Sequence, residues 1–108
     1  VVSEPVIQLD VLPTALAAAG APVSPGEGLD GVNLLPYLSG ENKEAPHKAL
    51  YWRFGTQMAI RQGNWKLVRA RTAPGKGQQN SPVELGLYNL AADIAEQKNL
   101  AAEQPEKV

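Results

Sequence analysis

The chain has 108 residues, a formal net charge of −1 and no cysteine. Without cysteine it forms no disulfide, thiolate metal site or cysteine nucleophile. No stretch approaches the roughly 18 consecutive apolar residues of a membrane span, so we expect no membrane segment. Nine prolines and ten glycines predict short elements joined by loops. A start at Val1, with no initiator methionine and no signal pattern, suggests a piece of a longer chain.

The N-terminal residues predict a short strand and then a helix. Val6–Leu9 has strand composition. Asp10 is placed to cap the helix, because its carboxylate can accept hydrogen bonds from the free N–H groups of the first turn. Pro13 is tolerated in that turn, and Gly20 can end the helix with a positive φ.

The rest of the chain predicts loops, a short helical turn and four strands. Pro22–Asp30 is expected to be a loop, and Leu34–Leu38 a helical turn that Gly40 stops. Thr72–Pro82 is predicted to be a mobile loop. The strands are predicted over Ala49–Phe54, Gln57–Gln62, Trp65–Arg71 and Leu85–Leu90.

The spacing of Asp93 and Glu96 is that of a capping box, which predicts a helical turn beginning near Asp93. Pro105-Glu106 is typical of the first turn of a further helix. The predicted fold class is therefore α+β, with an N-terminal helix and loop, a four-stranded antiparallel sheet and a short C-terminal helix.

Gly63-Asn64 predicts a two-residue hairpin turn, which pairs Gln62 with Trp65. Alternation then places four apolar residues on one face, which we expect to be the core face: Met58, Ile60, Trp65 and Leu67. Arg61 and Lys66 lie opposite each other on the other face. Such a like-charge pair is unfavourable unless a carboxylate, an anionic ligand or water compensates it.

Basic residues dominate the middle of the chain. There is no Asp or Glu from Ala45 to Val83, a stretch that holds seven Lys and Arg residues. This pattern indicates either a face that meets anions or a solvated face that pairs with the acidic ends of the chain.

Candidate chemical groups are few. His47 is the only histidine, and alone it forms neither a triad nor a multi-histidine metal site. Tyr51 and Trp52 lie among basic residues and could stack on sugars or nucleic-acid bases. No glycine-rich phosphate-binding pattern is present. The residues therefore support no catalytic constellation, and we assign no catalytic or metal-binding residue.

Four segments in order resemble the sulfatase family. Val6–Gly20 resembles the family pattern V-x-x-x-D-[LIV]-x-P-T…A-G. Leu29–Gly40 is similar to D-G-x-S-L-L-P-x-L-x-G. Ala59–Leu67 resembles A-[VI]-R-x-G-[DN]-W-K-L. Leu87–Ala101 is similar to L-Y-[DN]-L-x-x-D-P-x-E-x-x-N-L-A, with Ile94 where the family usually has proline.

This resemblance implies a sulfuric ester hydrolase with an alkaline-phosphatase-like large domain and a C-terminal antiparallel-sheet subdomain. Residues 1–45 would be the end of the large domain, and residues 46–108 the subdomain with its last helix truncated. The resemblance also implies that the parent enzyme carries a formylglycine nucleophile and a Ca²⁺ ion. This chain lacks the motifs that supply them, so we expect no cofactor in it. The resemblance also implies a periplasmic or secreted location.

Two functions follow as alternatives. The first is the C-terminal part of a sulfatase, whose partners are its large catalytic domain and a sulfate-ester substrate. The second is an independent module that binds anionic polysaccharide or nucleic acid, although nucleic acid is the less expected ligand. Self-association of the chain is a further expectation. The candidate substrate-binding residues are His47, Arg53, Arg61 and Lys66.

Overall fold

A computed structural model describes residues 2–21, 28–71 and 82–108. The predicted mobile loop Thr72–Pro82, except its last residue, and most of the predicted loop Pro22–Asp30 lie outside these residues. The chain divides into two compact units, Val1–Lys48 and Ala49–Val108. No helix in the described ranges is long and apolar enough to cross a membrane.

The first unit begins with a 3₁₀ helix, Gln8–Asp10, where the sequence predicts a strand. The strand prediction is wrong because both backbone groups of Ile7 are satisfied locally. Its N–H donates to the Asp10 carboxylate at 3.0 Å, and its carbonyl accepts from the Asp10 N–H at 2.9 Å. A strand needs these groups for a neighbouring strand.

The predicted helix follows as α1, Val11–Ala18. It ends in a Schellman motif, in which the N–H of Gly20 donates to the carbonyl of Ala17 and that of Ala21 to the carbonyl of Leu16. Gly20 has a φ of 71°, as predicted. A second short helix, α2, spans Leu35–Ser39 and ends at Gly40 in the left-handed region, also as predicted.

The second unit is built on a four-stranded antiparallel meander in the order β1-β2-β3-β4. The strands are β1 Leu50–Phe54, β2 Gln57–Gln62, β3 Trp65–Arg71 and β4 Val83–Asn89. The predicted register of the central hairpin is confirmed, with Gln62 opposite Trp65 and Arg61 opposite Lys66. Gly63 alone has a positive φ in that turn, which is the type II′ form.

The sheet has two faces, which alternation along the strands defines. The first face carries Tyr51, Ile60, Leu67 and Leu87, which follow one another across the four strands. Trp65 lies on this face as predicted, but it is half-buried, less than expected of a core residue. Its ring instead receives the Lys107 ammonium, 4.9 Å from the ring centroid, in a cation–π contact.

The C-terminal segment forms turns and then a 3₁₀ helix, Pro105–Lys107. The helical turn predicted at Asp93 is a single hydrogen-bonded turn, from the Glu96 N–H to the Asp93 carbonyl. Asn99 holds this segment to the outer edge of β4. Its side chain accepts from the Leu87 N–H at 3.0 Å and donates to the Leu85 carbonyl at 3.0 Å, as a neighbouring strand would.

We expect Leu87→Ala to lower the free energy of unfolding by about 2–5 kcal/mol, because this side chain is only 1% exposed. Leu85→Ala is the matched control, since Leu85 is on the same strand and face but 42% exposed. Urea unfolding measured by circular dichroism checks both variants. Equal losses for the two leucines would contradict the difference in burial between them.

Candidate functional site

The Asp10 carboxylate is fully buried, with 0% exposure. Its Oδ1 accepts from the N–H of Val32 at 2.9 Å, and its Oδ2 accepts from the N–H of Ile7 at 3.0 Å. His47 completes the arrangement, with Nε2 2.8 Å from Oδ2 and 2.9 Å from Oδ1. One side chain thus joins three segments that are far apart in the sequence.

The predicted capping role of Asp10 is wrong, because its carboxylate accepts no hydrogen bond from the helix. The third residue of α1 is Pro13, which lacks the N–H that a capping side chain often binds. The carboxylate turns instead toward the chain before the helix and toward Val32. Asp10 therefore forms tertiary contacts and does not cap the helix.

Thr14 and Gly31 complete this connection. The Thr14 hydroxyl donates to the Asp10 carbonyl at 2.6 Å and accepts from the Leu34 N–H at 2.9 Å. A Cβ on Gly31 would lie 2.0 Å from the carbonyl oxygen of Leu9, so only glycine allows this approach. We call these contacts of Asp10, Thr14, Gly31 and His47 the buried connection. They explain the aspartate and threonine of the D-x-x-P-T pattern and the glycine of the D-G pattern in structural terms.

Opposing effects act on the pKa of Asp10. Burial raises the pKa of the carboxyl, while the hydrogen bonds from Ile7 and Val32 and the contact with His47 lower it. The lowering effects prevail, so the pKa of Asp10 lies below its ordinary value of 3.8. Asp10 is therefore ionised at neutral pH and accepts from all three partners.

The geometry of His47 favours a structural role. The ring nitrogen Nε2 is engaged by Asp10, and the side chain is mostly buried. Both Asp10 oxygens are also used. The described residues contain no group of three or more His, Cys, Asp and Glu side chains placed to hold a metal. The pair does not fit Ca²⁺, which takes six to eight oxygen ligands.

The candidate residues Arg53, Arg61 and Lys66 all belong to the second unit, but the sheet separates them. Arg53 pairs with Met58 and so lies on the first face, whereas Arg61 and Lys66 lie on the second. Strand register therefore prevents Arg53 from sharing a face with Arg61 and Lys66. Arg53 donates from Nε to the carbonyl of Gly55 at 3.3 Å.

Arg61 and Lys66 differ in whether a carboxylate pairs with them. Lys66 Nζ donates to the Glu96 carboxylate in an ion pair that is partly buried. Arg61 donates from Nε to the Gly63 carbonyl at 3.1 Å. No carboxylate within the described part of the chain forms an ion pair with Arg61, so its charge is uncompensated there.

These two cations line a groove on the second face, with a volume of about 470 Å³. We call it the cationic groove, and its lining includes Trp52, Ala59, Arg61, Lys66, Ile94 and Glu96. Ala59 lies opposite Trp52, and its small side chain leaves room beside the larger neighbours. Trp52 and Arg61 both belong to the basic middle of the sequence, but only the strand register brings them to one face.

No family model matches the chain. Among curated proteins, human steryl-sulfatase is 34% identical over 50 residues, which are 46% of this chain and 9% of that protein. A structure from work on glycosaminoglycan metabolism by Bacteroides thetaiotaomicron has a TM-score of 0.64 at 24% identity, covering 92% of this chain and 22% of the other. A further structure, described in complex with its substrate D-glucosamine-2-N,6-O-disulfate, has a TM-score of 0.65 at 26% identity, covering 91% and 20%.

The chain is homologous to a portion of the sulfatases. It spans about a tenth of steryl-sulfatase and about a fifth of the two solved chains. The sulfatase patterns of the sequence correspond to contacts in both units. In the C-terminal pattern, Glu96 pairs with Lys66, Asn99 holds the edge of β4 and Asp93 accepts from the Lys98 N–H at 2.8 Å.

Asp10→Asn should lower the free energy of unfolding by about 1–3 kcal/mol at neutral pH, because one amide oxygen cannot replace both acceptors. The native pKa of Asp10 is depressed, so its stabilising effect is present above its ordinary pKa and is lost as pH falls through the native value. Asp10→Asn should remove this contribution to acid sensitivity. Exposed Asp30 provides the control Asp30→Asn.

The measurement is hydrogen exchange of the Ile7 and Val32 amide protons, with urea unfolding between pH 7 and pH 3. In Asp10→Asn both amides should exchange faster, whereas Asp30→Asn should match the unsubstituted protein. Unchanged exchange at Val32 in Asp10→Asn would rule out the buried connection as described.

Proposed function

We propose that this chain works as part of a sulfatase, in which it contributes structure and substrate contacts and no catalytic residue. The observation that carries the proposal is the agreement between motif order and fold. The four sulfatase-like segments lie in the same chain whose fold matches solved structures over nine-tenths of its length. The 50-residue match to steryl-sulfatase supports the same reaction class, hydrolysis of a sulfuric ester.

The catalytic groups would come from other segments of the parent enzyme. The family nucleophile is a formylglycine made from the first residue of a C/S-x-P-S-R motif, and the sequence contains neither cysteine nor that motif. The resemblance likewise assigns the Ca²⁺ ion to Asp and Asn side chains of the large domain. Hydrolysis needs such groups positioned where charge develops in the transition state.

The large catalytic domain is the proposed partner of this chain. The start of the first unit displays apolar side chains that are half or more exposed, among them Leu9, Val11 and Leu12. Exposed apolar patches are typical of interfaces. We place the contact with the rest of the sulfatase here, and the same surface would support self-association of the chain alone.

An independent anion-binding module remains the second candidate, because the cationic groove has one uncompensated cation. The two functions differ in what the isolated chain does. A module would bind sulfated polysaccharide by itself and release it as salt rises, since such binding depends on counterion release. A sulfatase part would acquire activity only together with the remaining catalytic segments.

The pure 108-residue chain should not hydrolyse p-nitrophenyl sulfate above a buffer control, because the groups that stabilise the transition state are missing. A sulfatase polypeptide that contains this chain and the upstream catalytic segments should hydrolyse a sulfate ester. Steady-state assays of both preparations check the expectation. Turnover by the isolated chain, or a parent polypeptide without sulfatase activity, would overturn the proposed function.

The isolated chain should self-associate through the apolar start of its first unit. Sedimentation velocity over a hundredfold concentration range should show a rising mean mass. The double substitution Val11→Ser and Leu12→Ser should reduce this rise, because it makes the exposed surface polar. Val83→Ser is the control, because Val83 is also an exposed apolar residue but lies on the sheet. It should leave the rise in mean mass unchanged. A monomer at all concentrations would count against this contact surface.

A further inference from the structure

β1 forms an open edge of the sheet. The strand order places β1 and β4 at the two edges, and Asn99 and Leu100 occupy the outer side of β4. Among the described residues, no backbone hydrogen bond reaches the outer side of β1. An open edge presents a row of N–H and C=O groups that can pair with a further strand. The sheet can therefore be extended at β1.

The outward backbone groups of β1 belong to Tyr51 and Arg53. Phe54 lies opposite Gln57 across a two-residue turn, and such a turn closes with a hydrogen-bonded pair. Hydrogen-bonded positions alternate along an antiparallel pair, so every second residue of β1, counted back from Phe54, bonds to β2. The N–H and C=O groups of Tyr51 and Arg53, which lie between these positions, consequently point away from β2.

The side chains of β1 give this edge little protection against pairing. Natural sheet edges are often blocked by several charges, by proline or by a bulge. β1 carries one charge, Arg53, contains no proline and pairs with β2 without a bulge. Tyr51, Trp52 and Phe54 are 69%, 36% and 85% exposed. A docked strand would cover part of this aromatic surface, which favours docking.

We propose that β1 pairs with β1 of a second copy of this chain, antiparallel and centred on Trp52. Trp52 then lies opposite Trp52 of the second copy. Tyr51 lies opposite Arg53 of the second copy, and each such pair exchanges two backbone hydrogen bonds. The same surface serves both copies, as a two-fold interface requires. The two four-stranded sheets join into one.

The side chains select this register among the symmetric ones. Centring on Arg53 would place two like charges directly opposite each other, which is unfavourable. Centring on Tyr51 would leave Phe54 opposite a residue that precedes the strand. Centring on Trp52 pairs all five residues of β1 and brings each arginine beside a tyrosine ring, which attracts a cation. The edge is thus complementary to itself, and a second copy satisfies it.

Trp52→Cys tests the centre of the register by crosslinking. The chain has no cysteine, so a disulfide in this variant joins two copies. Opposite residues at a non-hydrogen-bonded position have Cα atoms about 4.5 Å apart, which is within the range of a disulfide. In oxidised glutathione, Trp52→Cys should form crosslinked dimer at least tenfold faster than Phe54→Cys, as measured on non-reducing gels.

Phe54→Cys is the matched control because Phe54 lies on the same strand and face as Trp52 and is more exposed. In the proposed register the two copies of Phe54 are offset by four residues, about 13 Å along the strands. Exposure alone would make Phe54→Cys the faster variant. The expected order of rates therefore follows from the register and not from accessibility.

A charge exchange tests the contact between Tyr51 and Arg53. Tyr51→Arg should weaken association at least tenfold, because arginines of the two copies then lie opposite each other. Adding Arg53→Glu should restore association, since each new arginine then meets a glutamate. Ile94→Arg is the control, because it adds the same charge at a residue that is 78% exposed and lies outside the sheet. It should associate as the reference chain does.

The reference chain for the charge exchange carries Val11→Ser and Leu12→Ser, so that the apolar start of the first unit does not contribute to association. Sedimentation velocity measures the dimer dissociation constant of each variant. Circular dichroism establishes that its sheet is intact. The crosslinking rates provide an independent measurement if a charge variant does not fold.

Three results would overturn the pairing of β1 with a second copy. They are equal crosslinking rates for Trp52→Cys and Phe54→Cys, unchanged association of Tyr51→Arg, and no recovery on adding Arg53→Glu. The interface does not rest on the sulfatase function. A parent polypeptide without sulfatase activity would remove that function and leave the interface, whereas failure of the crosslink would remove the interface alone.

Discussion

The first unit depends on one buried charge, the carboxylate of Asp10. A buried carboxylate is costly unless hydrogen bonds compensate it. Here two backbone N–H groups and His47 do so, and each partner comes from a different segment. The unit has few fully buried apolar side chains among its described residues. Its arrangement is consequently specified by polar contacts and by the close approach at Gly31 more than by a large core.

In the second unit, polar contacts satisfy the backbone groups at the edge of the sheet. β4 has an outer side with unpaired backbone groups, which would otherwise be open to pairing with another chain. Asn99 and Leu100 occupy it, because the amide of Asn99 imitates a strand and the Leu100 N–H donates to the Leu87 carbonyl. Glu96 lies on the same segment and meets Lys66. The residues that resemble sulfatase motifs thus fasten the C-terminal segment to the sheet.

Local signals in the sequence predicted the sheet well, since turn residues and alternation fix a hairpin register within a few residues. Gly63-Asn64 therefore gave the correct pairs of β2 and β3. The buried connection was not predictable in this way. Asp10, Val32 and His47 are brought together by tertiary contacts, and Asp10 in isolation has the pattern of an ordinary helix cap. The compensation of Lys66 by Glu96 was foreseen only as one of several possibilities, because 30 residues separate the two.

The four candidate residues differ in whether another side chain of the protein already binds them. His47 and Lys66 have intramolecular partners, Asp10 and Glu96, so their positions have a structural explanation. Arg53 and Arg61 make equivalent bonds to turn carbonyls, but strand parity sends them to opposite faces. Of these two arginines, Arg61 shares its face with Trp52 and with the ion pair of Lys66 and Glu96. The combination distinguishes Arg61 from Arg53, and it depends on register rather than on the number of charges.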